Sequence, residues 1–219
     1  MRTGFSGELE QLRLQVEVMA VRVGEAVGRM RTVLATGDLD VARQAFAADD
    51  EIDAMAVSLT ERTYDLIRRE SPVASDLRFL VSALRMLEEL ERIGDLSLRV
   101  VKQAPEQPLL ASQPGIFRTL GDMASVADDL YRTALGAWSG QDIEAACTLA
   151  VRNRDMEGHD ADLLRNILEL DGPGAAHLAV VAVLTGKALD RIADHAVIIG
   201  ERLRYLLTGD PAFLASEIR

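Results

Sequence analysis

The chain has 219 residues, is 48% hydrophobic and 27% charged, and carries a formal charge of −11 from 24 basic and 35 acidic residues. That apolar fraction excludes a disordered acidic tail, and the length is enough for one large core or two small ones. The acidic balance, with a pI near 4.8, excludes nucleic acid and anionic membrane as partners bound by bulk charge.

A 4% aromatic content, with abundant Ala, Leu, Arg and Glu, leans towards helix over sheet. The start, MRTGFSGELEQLRLQ, has no apolar core of a secretory leader. No apolar run approaches the roughly 20 residues of a membrane span. The single cysteine, Cys147, allows no internal disulfide, is expected to pack as a small hydrophobe, and fits a reducing, cytoplasmic setting.

Proline and glycine punctuate six predicted helices, at about 6–35, 39–69, 73–103, 115–138, 142–170 and 175–208. The first must end at Gly37, where a glycine stop is followed by the aspartate cap Asp38. The second repeats apolar residues at spacings of three and four, among them Ala42, Ala45, Phe46, Ile52, Leu59 and Leu66. The third does the same through Leu80, Leu84, Leu87, Leu90 and Ile93. The Pro-rich stretch 105–113 reads as a linker. Trp138 falls at the end of the fourth helix, and a Pro173-Gly174 turn separates the fifth from the sixth.

The three helices before the linker are echoed by the three after it. A shift of 104 superposes Leu39 on Ile143, Ile52 on Met156 and Leu66 on Leu170. A shift of 99 superposes ELERIGD (89–95) on ALDRIAD (188–194). The expected fold is therefore all-α, two tandem antiparallel three-helix bundles, with repeats at 1–104 and 114–210.

Acidic residues recur four apart at Asp49/Asp53, Glu91/Asp95 and Asp190/Asp194. The spacing puts each pair on one helix face. By itself it is a weak signal, because chance alone gives about six such pairs in a chain this acidic. Hairpin geometry adds information. Residues equidistant from a turn lie level, and about Pro72 that sets Asp49 against Asp95 and Asp53 against Glu91, about 30 Å from the turn. About the Pro173-Gly174 turn, Asn153 lies level with Asp194 and Glu157 with Asp190.

Four clustered carboxylates repel one another, and a shared hard cation such as Mg²⁺, Mn²⁺, Ca²⁺ or Fe³⁺ would relieve them. The competing expectation is an outward face neutralised by Arg92 and Arg191. His195 reads as a helix-surface residue, and His159, two residues after Glu157, falls on a different helix face from it. No Glu-x-x-His stands at any of the three histidines, so a carboxylate-bridged di-iron site is not supported. Neither a Walker-type phosphate loop nor a nucleophile motif is present, and no enzymatic activity is expected.

The segments DDEID (49–53), SPVASDLR (71–78) and LERIGD (90–95), with LDRIAD (189–194) and YLLTGD (205–210), resemble the PhoU family over almost the whole chain. The resemblance implies two three-helix domains, a homodimer, and an E(D)xxxD motif on two helices of each domain that binds metal ions in multinuclear clusters. Carried over by position, the metal ligands are Asp49, Asp53, Glu91, Asp95, Asp190 and Asp194, with Asn153 and Glu157 at the divergent fourth motif. A shifted fourth motif would be Asp155/His159. The second repeat then carries less charge and should bind cations more weakly. The resemblance further implies divalent or trivalent ions (Fe, Mg, Mn or Zn). It also implies a cytoplasmic negative regulator of phosphate homeostasis, recruited to the inner membrane face by its partners. As a signalling adaptor it would link a phosphate ABC transporter, through its ATPase component, to a sensor histidine kinase.

Overall fold

The computed structural model describes residues 2–214, and among them only helices and turns occur. Helix α1 (Arg2–Thr36) stops where Gly37 takes a left-handed φ of 69° that an L side chain would adopt only under strain. Asp38 then caps α2 (Leu39–Glu70), its Oδ1 accepting from the backbone N–H of Asp40 at 2.8 Å and of Val41 at 3.1 Å. The chain turns at Ser71, Pro72 and Val73 into α3 (Ala74–Val101).

The predicted linker is not irregular. A 3₁₀ turn (Ala104–Glu106) and the short helix α4 (Gln107–Ala111) fill most of it, because Ala104 and Leu110 are buried in the core and hold the segment down. Pro114 opens α5 (Pro114–Gly140), at a position where its missing N–H costs nothing.

The predicted fifth helix is broken. It consists of α6 (Ile143–Arg152) and α7 (Arg154–Leu168), separated at Asn153. Periodicity continues across the break, so the sequence pattern did not disclose it. After a turn in which Gly174 has a φ of 90°, α8 (Ala175–Thr208) runs to a final 3₁₀ turn (Pro211–Leu214) that folds back onto it. There the guanidinium of Arg204 lies 3.8 Å from the ring centre of Phe213.

Helices α1, α2 and α3 pack on one another as one three-helix bundle, and α5, α6/α7 and α8 as the second. The bundles are joined broadly, chiefly by α3 against α8 and by α1 against α5. A single apolar cluster results, to which α1 contributes Leu12, Val16, Met19 and Val23, α3 Leu80, Leu90 and Ile93, and α8 Leu189, Ile192 and Ile199. Each fully buried leucine of this kind stabilises by about 2 kcal/mol.

Polar ties also cross between the bundles at α1 and α5. The buried Tyr131 hydroxyl donates to the Ala20 carbonyl at 2.5 Å, and burial pushes its pKa up. The buried Asp128 carboxylate accepts from Arg31 and, at 2.9 Å, from Arg132.

Three side chains depart from the sequence expectation. Cys147 is exposed rather than packed. Phe46 is 43% exposed despite its helical spacing. His195 is buried, where a surface position was expected, because it lies on the α3–α8 seam between the bundles. Trp138 packs in the core near its helix end.

Candidate metal-binding face

Asp49 and Asp53 lie one turn apart on α2, and Glu91 and Asp95 one turn apart on α3. Ile52 on α2 and Leu90 and Ile93 on α3 enter the core beside them and fix the helix rotation that turns the acids to a common face. The two helices approach at Gly94, where a Cβ would meet an Ile52 methyl at 3.5 Å and Asp49 Oδ1 at 3.9 Å, both ordinary contact distances.

The electrostatics show the four acids acting on each other across the helices. Asp49, half-buried, has its pKa raised by partial burial, then by repulsion from Asp53 and Asp95, against a smaller lowering by Lys102. Glu91, also half-buried, is raised by burial and then by Asp95 and Asp53, against Arg92. Asp53 and Asp95 are exposed. Each half-buried acid therefore feels the partner on its own helix and the level partner on the next, which is the pairing about Pro72 that the sequence predicted.

The second face differs. Asn153 and Asp194 meet as expected, the Asn153 amide donating to Asp194 Oδ1 at 2.9 Å. Asp194 has its pKa raised by burial, with the Asn153 bond pulling it down and repulsion from Asp190 pushing it up. The amide oxygen of Asn153 is buried without a hydrogen-bond partner. Glu157 is exposed and is not among the groups that shift Asp194. Of the shifted alternative, Asp155 is exposed and His159 half-buried.

Sequence reasoning missed Lys187 here. Its ammonium donates to Asp160 at 3.1 Å and Asp190 at 3.3 Å. Burial works against its charge, but the bond to Asp160 and the attraction of Asp190 outweigh it, so its pKa is raised. Lys187 is one of only two lysines in the chain, and its position one turn before Asp190 was the available signal.

The donor sets can be compared with what a hard cation needs. Asp49, Asp53, Glu91 and Asp95 are oxygen donors whose mutual repulsion a cation would relieve, and they fit such an ion in kind. Among the described residues, however, no three His, Cys, Asp or Glu side chains converge closely enough to hold one. In the second face Asp194 and the unpartnered Asn153 oxygen offer oxygen donors, while the Asp190 end is already neutralised by Lys187.

A buried polar contact lies on the seam between the two bundles. His195 Nδ1 stands 2.6 Å from Glu89 Oε2, with the side chains 5% and 4% exposed. Arg92 approaches the other Glu89 oxygen at 3.6 Å. Among the described residues, no helix is long and apolar enough to cross a membrane.

Residues 16–104 match the family model for the PhoU domain. The chain is 29% identical over 211 residues to the phosphate-specific transport system accessory protein PhoU homolog 1 of Thermotoga maritima, covering 94% of this chain and 89% of the relative. It is 28% identical over 210 residues to PhoU homolog 1 of Mycobacterium tuberculosis, covering 95% of each. The crystal structure of PhoU from Pseudomonas aeruginosa superposes with a TM-score of 0.88 at 27% identity, over 94% of this chain and 100% of that one. The phosphate transport system regulatory protein PhoU from Streptococcus pneumoniae, at 23% identity, shares the fold with a TM-score of 0.83 over 94% of this chain and 98% of its own.

Proposed function

We propose that the chain, similar to PhoU proteins over almost its whole length, is a member of that family and a non-enzymatic regulatory accessory of phosphate uptake. It acts in the cytoplasm as a homodimeric adaptor between the ATPase component of a phosphate ABC transporter and a sensor histidine kinase. It represses the phosphate-starvation response when phosphate is plentiful. Its outer carboxylates bind cations of the Fe, Mn, Mg or Zn kind, chiefly in the first repeat.

The observation that carries the cation part is the α2–α3 face. Asp49, Asp53, Glu91 and Asp95 perturb one another across two helices that the core holds rigidly in register. A bound hard cation would supply the positive charge that offsets this repulsion. The protein's own contribution is to present four oxygen-bearing side chains level with one another. The whole-length similarity to accessory proteins of phosphate transport supports the regulatory part.

The second repeat favours a weaker version. Lys187 between Asp160 and Asp190 already supplies a cation, so that face serves as a fixed ion-pair surface. A helical scaffold with no bound metal is the reading that remains if the first face behaves likewise.

Deleting the gene and measuring alkaline phosphatase in phosphate-rich medium tests the regulatory role. Derepression is expected, restored by the wild-type gene. Unchanged repression would count against it.

A further inference from the structure

All but two of the chain's 24 basic residues are arginines. The two lysines, Lys102 and Lys187, are far apart in sequence, one just past the end of α3 and the other within α8. Folding brings them to the same place. Helices α3 and α8 pack antiparallel, and between them lies a groove of about 430 Å³ into which both lysines face together with Arg99 and Arg191. Among the described residues no carboxylate lines it, in a chain with a formal charge of −11.

Ion pairs with neighbouring groups account for only one of these four charges. Lys187 is held by Asp160 and Asp190. Arg99, Lys102 and Arg191 make no ion pair among the described residues, although Asp49 feels Lys102 at a distance. The negative end of α3 favours Arg99 and Lys102, but Lys187 and Arg191 lie mid-helix on α8, where no such end exists. Leu96 and Leu184 add an apolar wall. A contiguous cavity of about 220 Å³ extends the seam, sharing Arg99 and Arg191 and adding Arg92, His195 and one carboxylate, Asp95.

We propose that this groove binds a small phosphate-bearing anion, free or attached to an organic body. Converging guanidinium and ammonium groups suit a multiply charged tetrahedral oxyanion, to which arginine offers paired N–H donors. The volume falls within the range of small-molecule sites. The apolar wall has room for the body of an organic phosphate. The groove borders both carboxylate faces, through Lys187 against Asp190 and through Asp95 in the contiguous cavity, but its own lining is basic and apolar and needs no metal.

The two lysines make the test residue-specific. The full chain is acetylated with a limiting amine reagent in the presence of a chelator, which prevents metal-bridged phosphate from contributing. Mass spectrometry then follows the peptides holding Lys102 and Lys187. ATP, inorganic phosphate, potassium chloride at matched ionic strength and poly-glutamate are compared. ATP or inorganic phosphate is expected to slow modification of both lysines on the order of tenfold, chloride being without that effect. Protection by ATP alone identifies an organic phosphate, and equal protection by inorganic phosphate identifies the free anion. Either result supports the site. The R99A/R191A variant, with unchanged circular dichroism, should lose the protection. Protection no greater than that of chloride overturns the proposal. So does protection that survives R99A/R191A, or protection by poly-glutamate alone, which would make the groove a surface for an acidic protein.

Discussion

His195→Leu isolates the buried contact between α3 and α8, in which both side chains are almost fully inaccessible. In the native protein Glu89 has a buried partner 2.6 Å away and a second, half-exposed one, Arg92, at 3.6 Å. Removing the histidine leaves a nearly inaccessible carboxylate with only the longer contact. Breaking a buried pair from one side costs about 3–5 kcal/mol, and the Arg92 contact puts the expectation at about 3. In a chain of this size that lowers Tm by roughly 6–12 °C. Glu89→Gln keeps an acceptor for the histidine N–H and should cost about 1 kcal/mol. The double variant Glu89→Leu/His195→Leu replaces both groups by apolar ones and should return to within about 1 kcal/mol of wild type. Urea and thermal unfolding of the wild type, both single leucine variants and the double give the coupling energy. Additive effects, or a His195→Leu loss below about 0.5 kcal/mol, would refute a coupled pair at the seam.

Glycine substitutions should split by sign. A Cβ on Gly186 would collide with a Leu163 methyl and one on Gly200 with a Leu149 methyl, so either alanine is expected to cost about 1–3 kcal/mol in urea unfolding. Gly121 and Gly136 in α5 have nothing within 4 Å of such a Cβ, and alanine there should stabilise by about 0.5–1 kcal/mol. The acids give a pH signature in chelator-treated protein. Asp49, Glu91 and Asp194 have folded-state pKa values raised above their ordinary ones, so the folded form holds protons more tightly. Their contribution is fully present below the ordinary carboxylate range and is lost as pH rises through the raised values. Asp49→Asn/Glu91→Gln should flatten that part of the Tm–pH curve, and an unchanged curve would contradict the mutual repulsion.

Much of the fold was legible because it depends on local chemistry. Gly37 and Asp38 mark a stop and a cap that any helix would obey, and the apolar spacing in α2 placed Ile52, Leu59 and Leu66 in the core. The level pairing of Asp49 with Asp95 follows from a rise per residue and a turn at Pro72, and needs no knowledge of the other repeat. The losses share a different cause. His195 and Glu89 meet only because α3 packs on α8, a contact between segments far apart in sequence. The break at Asn153 interrupts no hydrophobic period. Lys187 was legible only beside Asp190 on its own helix; its second acid, Asp160, comes from α7, and Lys102 shares its groove only after folding.

The cation-binding face is tested most directly by metal content. The wild-type protein and an Asp49→Asn/Asp53→Asn/Glu91→Gln/Asp95→Asn variant would be purified from the native host and measured by elemental analysis, with circular dichroism to confirm the fold. Retention of a divalent or trivalent ion by the wild type and its loss from the variant is the expected result. Equal metal content in the two proteins would contradict a cation site on the α2–α3 face.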